Sequence, residues 1–284
     1  MAAPPTTRLW VLGHPPLCAP VLARLSDHNP MVFDPLDPDA LPFFRWVNAG
    51  NHLAYAGLGM PAWVQLDCCT LPSAMIGLAL PIDALPKGLL DPLNAQVARL
   101  FGDEAALEAQ RWTGLVPISS YCATPSWTPG TVVGFSLFSL IRGARLAVPT
   151  KALALKGYGC TRQIGITQYT NPALRTHTAL GPLAVTHPRA WPHSLPERTF
   201  VYQLILDDPG PLDARITQGP PQDDEPPAGA LLIPVIDDGR QMAQHLRELT
   251  AQHGPLHIVW PGLTRDRRLV IQMGMGAPTT REKS

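Results

Sequence analysis

The sequence predicts an α/β protein built on a mixed sheet, with a small α+β module at its C-terminal end. Three observations predict it. Residues 130–141, GTVVGFSLFSLI, are filled with β-branched and aromatic residues and follow Pro-Gly, which is a strand signature. From there the pattern runs strand, turn, helix, strand, helix, strand, and two strands joined through a helix in one sheet are usually parallel. The chain also begins as β then α: RLWVLG is a short apolar run, and LCAPVLARL sets its apolar residues at helical spacing.

The elements follow in order. After the Pro- and Asp-rich stretch NPMVFDPLDPDALP, WVQLDCC and SAMIGLALP read as two strands separated by the turn signal Thr-Leu-Pro-Ser. DPLNAQVARLF and EAALEAQRW read as helices. Past the 130–141 strand, PTKALALKGY predicts a helix with Pro149 in its first turn, where a missing N–H does no harm, and Gly157 and Gly159 supply the stop. QIGITQYT alternates as a strand. Asn171 then reads as an N-cap with Pro172 at the first position of the helix PALRTHTAL, which Gly181 closes. TFVYQLIL at 199–206 is the last strand of this core, which spans 1–206.

Residues 207–229 are polar and rich in Pro and Gly, so they predict a linker. Beyond it, at 230–284, ALLIPVI, RQMAQHLRELTAQHG, PLHIVW and RRLVIQM predict a small accessory module of strand, helix and two strands. Its helix places Met242, Leu246 and Leu249 on one face.

Composition narrows the function classes. A chain of 284 residues buries a sizeable core without a metal or disulfide staple. The formal charge is zero, so no global field marks a dedicated nucleic-acid binder, and any polyanion must be met locally. Cys18, Cys68, Cys69, Cys122 and Cys160 form an odd set with no C-x-x-C pair and no His run to complete a zinc site. A reduced, cytoplasmic chain is the expectation. Prolines break the N-terminal run MAAPPTTRLWVLGHPPL, which also lacks a basic n-region, and the longest apolar run, SAMIGLALPI, is far short of a membrane span. The 33 prolines, and the excess of Arg over Lys, read as a loop-rich bacterial protein from a GC-rich genome.

Charge is unevenly placed. Between 141 and 200 the basic residues are Arg142, Arg145, Lys151, Lys156, Arg162, Arg175, Arg189 and Arg198, against a single acid, Glu197. Such a segment either cradles a phosphorylated ligand or forms solvated helix and loop faces. Arg142, Gly143, Ala144, Arg145, Leu146 and Ala147 follow a strand and open a helix, a geometry that aims backbone N–H groups and the positive helix end at one spot. Neither a Walker loop nor a G-x-G-x-x-G fingerprint is present.

The segment 130–183 resembles the GNAT acyltransferase superfamily. That family has a strand, a pyrophosphate loop of pattern [Q/R]-x-x-G-x-[G/A], a helix, a second strand splayed from the first, and an Asn-led helix ending in Leu-Gly. Arg142 matches the first loop position and Ala147 the last, while Arg145 stands where the family usually has glycine. The spacing from Arg142 to Asn171 is about one helical turn tighter than the family's.

The resemblance implies a mixed sheet of GNAT type and acyl-CoA as co-substrate. It implies pantetheine pairing with strand backbone between Gly134 and Leu140, including Phe135 and Leu137, and Asn171 shaping the groove or simply capping its helix. Four residues before the closing glycine, where the family often carries a tyrosine that protonates the leaving thiolate, this chain has His177. An imidazole can do that chemistry, and Tyr169 is the alternative acid. The implied reaction is N-acyl transfer by direct attack of an amine on the thioester, with strand N–H groups holding the oxyanion and no metal required. Two alternatives share the fold: an aminoacyl-tRNA-dependent transferase, whose RNA phosphates the basic segment would meet, and a non-catalytic binding module.

Other candidates carry less chemistry. Asp67-Cys68-Cys69, placed at a strand end, offers a thiol nucleophile or plain packing. Ser119-Ser120-Tyr121-Cys122 lacks a G-x-S-x-G elbow and reads as a structural loop. His187 and His193 flank Trp191 in THPRAWPHSLPE, which offers a metal or substrate loop or, with no carboxylate or third His at ligand spacing, a Pro-rich surface loop. Asn51, His52 and Tyr55 are placed to line an acceptor pocket, and Trp46, Trp63, Trp112 and Trp127 either line an apolar tunnel or serve as core residues.

Overall fold

The computed structural model describes residues 7–56, 59–112, 114–190, 198–208 and 210–274. Its contacts divide the chain into two units, Met1–Thr161 with Asp208–Pro220, and Arg162–Asp207 with Pro221–Ser284. The expected boundary at 206 is thus replaced by one at 161, and each unit takes back a later piece of chain.

In the first unit, strands β1 (Arg8–Leu12), β2 (Met31–Phe33), β3 (Met75–Pro81), β4 (Leu115–Pro125) and β5 (Thr131–Ser139) lie in the order β2-β1-β3-β4-β5. β1 and β2 run parallel, joined through helix α1 (Pro15–Arg24), and the other neighbours are antiparallel. Helices α2 (Leu41–Ala54), α3 (Ala62–Thr70), α4 (Leu90–Phe101) and α5 (Asp103–Arg111) complete one side. There Trp10, Phe33 and Phe43 form an aromatic cluster, with Phe33 stacked on Phe43 at 3.8 Å between centroids and Trp10 edge-on at 5.2 Å. A second cluster packs Trp46 and Ala49 of α2 against Leu93 and Val97 of α4 and Ala106 and Ala109 of α5.

Helix α6 (Ala147–Tyr158) packs on β3, β4 and β5 and also against α1. Pro149 sits in its first turn as expected, and Gly159, left-handed at φ +62°, closes it by donating its amide to the Leu155 and Lys156 carbonyls. The stretch read as a linker holds a helix, α8 (Gly210–Gln218), which packs on α6 with Lys156 Nζ 2.8 Å from Asp213.

Two local expectations are corrected here. WVQLDCC is the helix α3, not a strand: Gln65, Cys68 and Cys69 are its buried positions, at i, i+3 and i+4. Ser119-Ser120-Tyr121-Cys122 is the buried middle of β4, not a loop. Its serines are tolerated in the core partly because Ser119 Oγ meets Thr150 Oγ1 of α6 at 2.6 Å.

In the second unit, β6 (Arg162–Gln168), β7 (Leu183–His187), β8 (Thr199–Ile205), β9 (Leu231–Pro234), β10 (Leu256–Leu263) and β11 (Arg268–Met273) lie in the order β6-β8-β7-β10-β11-β9. The pairs β6–β8, β8–β7, β7–β10, β10–β11 and β11–β9 are antiparallel. The C-terminal strands therefore share one sheet with β7 and β8. The short helix α7 (Leu174–Thr178) and the longer α9 (Gly239–His253) pack against β10. Met242 and Leu246 of α9 are buried and Leu249 is half-buried, the face expected from spacing. Asp238 caps α9 by accepting from the amides of Arg240 and Gln241.

No helix among the described residues is long and apolar enough to cross a membrane.

Candidate functional site

The loop between β5 and α6 has the most specific backbone geometry. After Leu140 donates its amide to Ile118, the chain turns through Ile141–Ala144, and Gly143 is left-handed at φ +77°. Arg145 is left-handed too, at φ +54°. An L-residue with a long side chain seldom adopts this conformation, and glycine adopts it freely. Leu146 is the N-cap of α6 and contributes no side-chain bond to it. Pro149 has no N–H and Thr150 donates to the Leu146 carbonyl, so few amides are left open at the start of α6, which follows two exposed arginines, Arg142 and Arg145. Successive N–H groups around such left-handed turns form a concavity suited to an anion.

A phenol holds the backbone of β5 at Leu137. Tyr55, just after α2, donates its hydroxyl to the Leu137 carbonyl at 2.9 Å and accepts from the Leu137 amide at 3.1 Å. Burial raises its pKa, so the phenol stays protonated at neutral pH. Beside it, Asn51 Nδ2 donates to Ser136 Oγ at 2.6 Å while Asn51 Oδ1 accepts from the Met60 amide at 2.5 Å. These side chains border a cavity of about 200 Å³, walled by Asn51, Tyr55, Met60, Val64, Phe135 and Ser136. The side chain of Phe135 is thus placed at the cavity as a wall, with 46% of its surface exposed. Tyr55 holds both backbone groups of Leu137, so a ligand that pairs with Leu137 must displace it.

Behind the loop, Lys151 of α6 is fully buried, with Nζ 5.8 Å from the centre of the Tyr121 ring. Burial pulls its pKa down to about 7. The sequence carries a faint signal of this position. Val148, Lys151, Ala152 and Leu155 lie on one helical stripe, so the lysine interrupts an otherwise apolar face.

The remaining expected residues belong to the second unit. Asn171 Oδ1 accepts from the Ala173 amide at 2.9 Å and its Nδ2 reaches Thr167 at 3.1 Å. It opens a turn that leads into α7; the residue at the helix N-cap itself is Ala173. His177 is buried, its ring 5.3 Å from that of Tyr202. Tyr202 in turn lies over Gly165 and within 3.4 Å of Gln163. β6 buries its polar face, Gln163, Gly165 and Thr167, and leaves Ile166 exposed. Tyr169 is buried and stacked on Phe200 at 5.0 Å, its hydroxyl donated to the Pro188 carbonyl. Burial holds its pKa above the usual phenol value.

The other candidates separate cleanly. Cys68, Cys69 and Cys122 lie in the apolar cluster of the first unit. Its burial pushes the Cys69 thiol up; Cys68 bonds to Cys122, which favours the Cys68 thiolate and disfavours that of Cys122. The four tryptophans line no shared tunnel: Trp46 is core, Trp112 is half-buried, and Trp63 and Trp127 face solvent. His187 is exposed at the end of β7, and Trp191 and His193 lie outside the described residues. Among the described residues no group of three or more His, Cys, Asp or Glu side chains is arranged to hold a metal.

Compared with protein-family models, curated proteins and solved structures, the chain finds no match.

Proposed function

We propose that this chain is an N-acyltransferase of GNAT type that moves an acyl group from acyl-CoA to an amine. The observation that carries the reading is Arg145. It stands where the resembled loop has glycine, and its backbone takes the left-handed conformation that glycine would take there. A strand, a left-handed loop flanked by two arginines, and a helix lacking a side-chain cap follow one another as the resemblance requires.

In this reading the CoA diphosphate sits at residues 142–147, against the backbone of the left-handed loop and the Arg142 and Arg145 guanidiniums. The acyl end reaches the cavity beside β5, where Phe135, Met60 and Val64 supply apolar walls. A neutral amine attacks the thioester carbon, the tetrahedral intermediate collapses with cleavage of the C–S bond, the departing thiolate takes a proton from the acid, and the ammonium nitrogen formed by the attack releases one proton, which restores that acid. Within the first unit, Tyr55 is the phenol that lines the cavity, and we assign it that proton.

The test is a melting series with CoA, acetyl-CoA and a long-chain acyl-CoA. A ligand at a hundred times its dissociation constant adds about 2.7 kcal/mol of stability. Stabilisation that Arg142→Ala weakens, together with amine-dependent release of free thiol, supports the reading. Silence from every CoA species refutes it.

A further inference from the structure

The cavity beside β5 has one wall that cannot retreat. Met60, between α2 and α3, donates its amide to Asn51 Oδ1, while its carbonyl accepts from Asn48 Nδ2 at 2.8 Å and lies 3.1 Å from His52 Nε2. Asn48 also donates to Gln65 Oε1 of α3 at 2.9 Å, and Asn48, Asn51 and Gln65 are all buried. Breaking these bonds strands polar groups inside the protein, so the Met60 backbone is fixed on both sides. The residue before it is Gly59, and a Cβ there would lie 2.6 Å from the His52 backbone, so the segment is seated directly on α2.

The side chain is confined too. Met60 is 9% exposed, lines the cavity and belongs to the apolar cluster that holds Phe43, Phe44 and Val47. It forms the partition between cavity and core.

Size and lining define what enters. At about 200 Å³ the cavity is smaller than a site that encloses a whole drug-sized molecule, so it takes the end of a longer one. At about 30 Å³ for a water-sized group, it holds roughly six or seven such groups. A thioester sulfur and oxygen occupy about two of those places, leaving about four or five carbons. Asn51, Tyr55 and Ser136 give the polar side that a thioester carbonyl needs, and Met60, Val64 and Phe135 the apolar side for an alkyl chain.

On the acyl-CoA reading above, on which this rests, we propose that Met60 is the specificity-determining residue that limits the acyl group to short chains of about four or five carbons.

The experiment is calorimetric titration of CoA, acetyl-, butyryl-, hexanoyl- and octanoyl-CoA into the full chain, into Met60→Ala and into Val64→Phe, each checked for folding by its melting curve. Each methylene that enters the cavity tightens binding about fourfold, so wild-type affinity climbs from CoA to butyryl-CoA and then climbs no further. Met60→Ala removes the partition, and its affinity climbs on to hexanoyl- or octanoyl-CoA. Val64→Phe fills the cavity from a half-buried wall, and its affinity stops climbing at acetyl-CoA. Affinity for CoA itself is unchanged in both, which a merely structural loss would not give. The two variants move the limit in opposite directions, so either one suffices where the other does not fold. Wild-type affinity that keeps climbing through octanoyl-CoA, or folded variants with the wild-type profile, overturns the length limit and leaves the acyl-CoA reading standing. Absence of binding by every CoA species to wild type overturns both.

Discussion

Tyr55 and Leu137 are joined twice: one phenolic hydroxyl donates to the Leu137 carbonyl and accepts from the Leu137 amide, so a side chain satisfies both backbone groups of one strand residue. Removing that oxygen by Tyr55→Phe leaves both backbone groups of Leu137 without this partner. The expected loss is about 1–2 kcal/mol of folding stability, since water reaches the partly exposed site. A denaturant titration checks it, and on the proposed reaction the same variant loses acyl transfer while still binding acyl-CoA.

Arg145 holds a left-handed backbone that costs a non-glycine residue roughly 1 kcal/mol or more. Arg145→Gly relieves it at the expense of a more flexible unfolded chain. The expected net result is a stability equal to or slightly above wild type, within about 1 kcal/mol. By contrast, Gly143→Ala has open space around its new Cβ and is destabilised by backbone conformation alone, by about 1 kcal/mol. Comparing the two unfolding midpoints separates conformational strain from side-chain charge.

Lys151 predicts a specific dependence on pH. Its folded pKa, about 7, lies below the unfolded value near 10.5, so between these the unfolded chain binds more protons and stability rises with pH. Below about pH 7 the group is charged in both states and its burial penalty is fully present. Buried thiols and phenols such as Cys160 and Tyr158 have raised pKa values and act in the opposite direction above about pH 9. The useful quantity is therefore the difference between wild type and Lys151→Met. The variant is expected to be the more stable by about 1–4 kcal/mol at pH 6, with the gap narrowing toward pH 9. A constant gap contradicts the assignment.

Gly77 fixes the approach of β3 to its neighbours. A Cβ there would overlap the Ser119 backbone oxygen of β4 and the Trp10 indole of β1. Because the first obstacle is backbone, Gly77→Ala is expected to cost about 3 kcal/mol, read as a lowered denaturant midpoint.

What the sequence made legible followed from local pattern. β5 shows its β-branched run, α6 its Pro149 and Gly159 punctuation, and α9 its Met242 and Leu246 stripe. The loop at 142–147 was legible as a strand-to-helix junction, though the left-handed state of Arg145 was not, because no local signal marks a strained arginine. α2 and the middle of β4 were hidden by one physical cause. Asn48, Asn51, Ser119 and Ser120 are polar residues at core positions, and several find their partners far along the chain: Asn48 at Met60 and Gln65, Asn51 at Ser136, Ser119 at Thr150. A hydrophobic pattern cannot register a core that is satisfied by distant hydrogen bonds. α3 was misread because its short, β-favouring sequence outweighed the i, i+3, i+4 placement of Gln65, Cys68 and Cys69. Asn51 and Tyr55 are legible in the sequence as pocket-lining residues, while the hold of Tyr55 on Leu137 is not, since it depends on a strand residue eighty-two positions away.

The measurement that bears most directly on the central claim is calorimetric titration of acetyl-CoA into wild type, Arg142→Ala and Arg145→Gly. If the loop binds the diphosphate through its left-handed backbone and both guanidiniums, wild type binds, Arg142→Ala binds about tenfold more weakly, and Arg145→Gly, which keeps the left-handed backbone and loses one cation, falls no further than Arg142→Ala. Absence of binding to wild type, or equal affinity in Arg142→Ala, contradicts the claim.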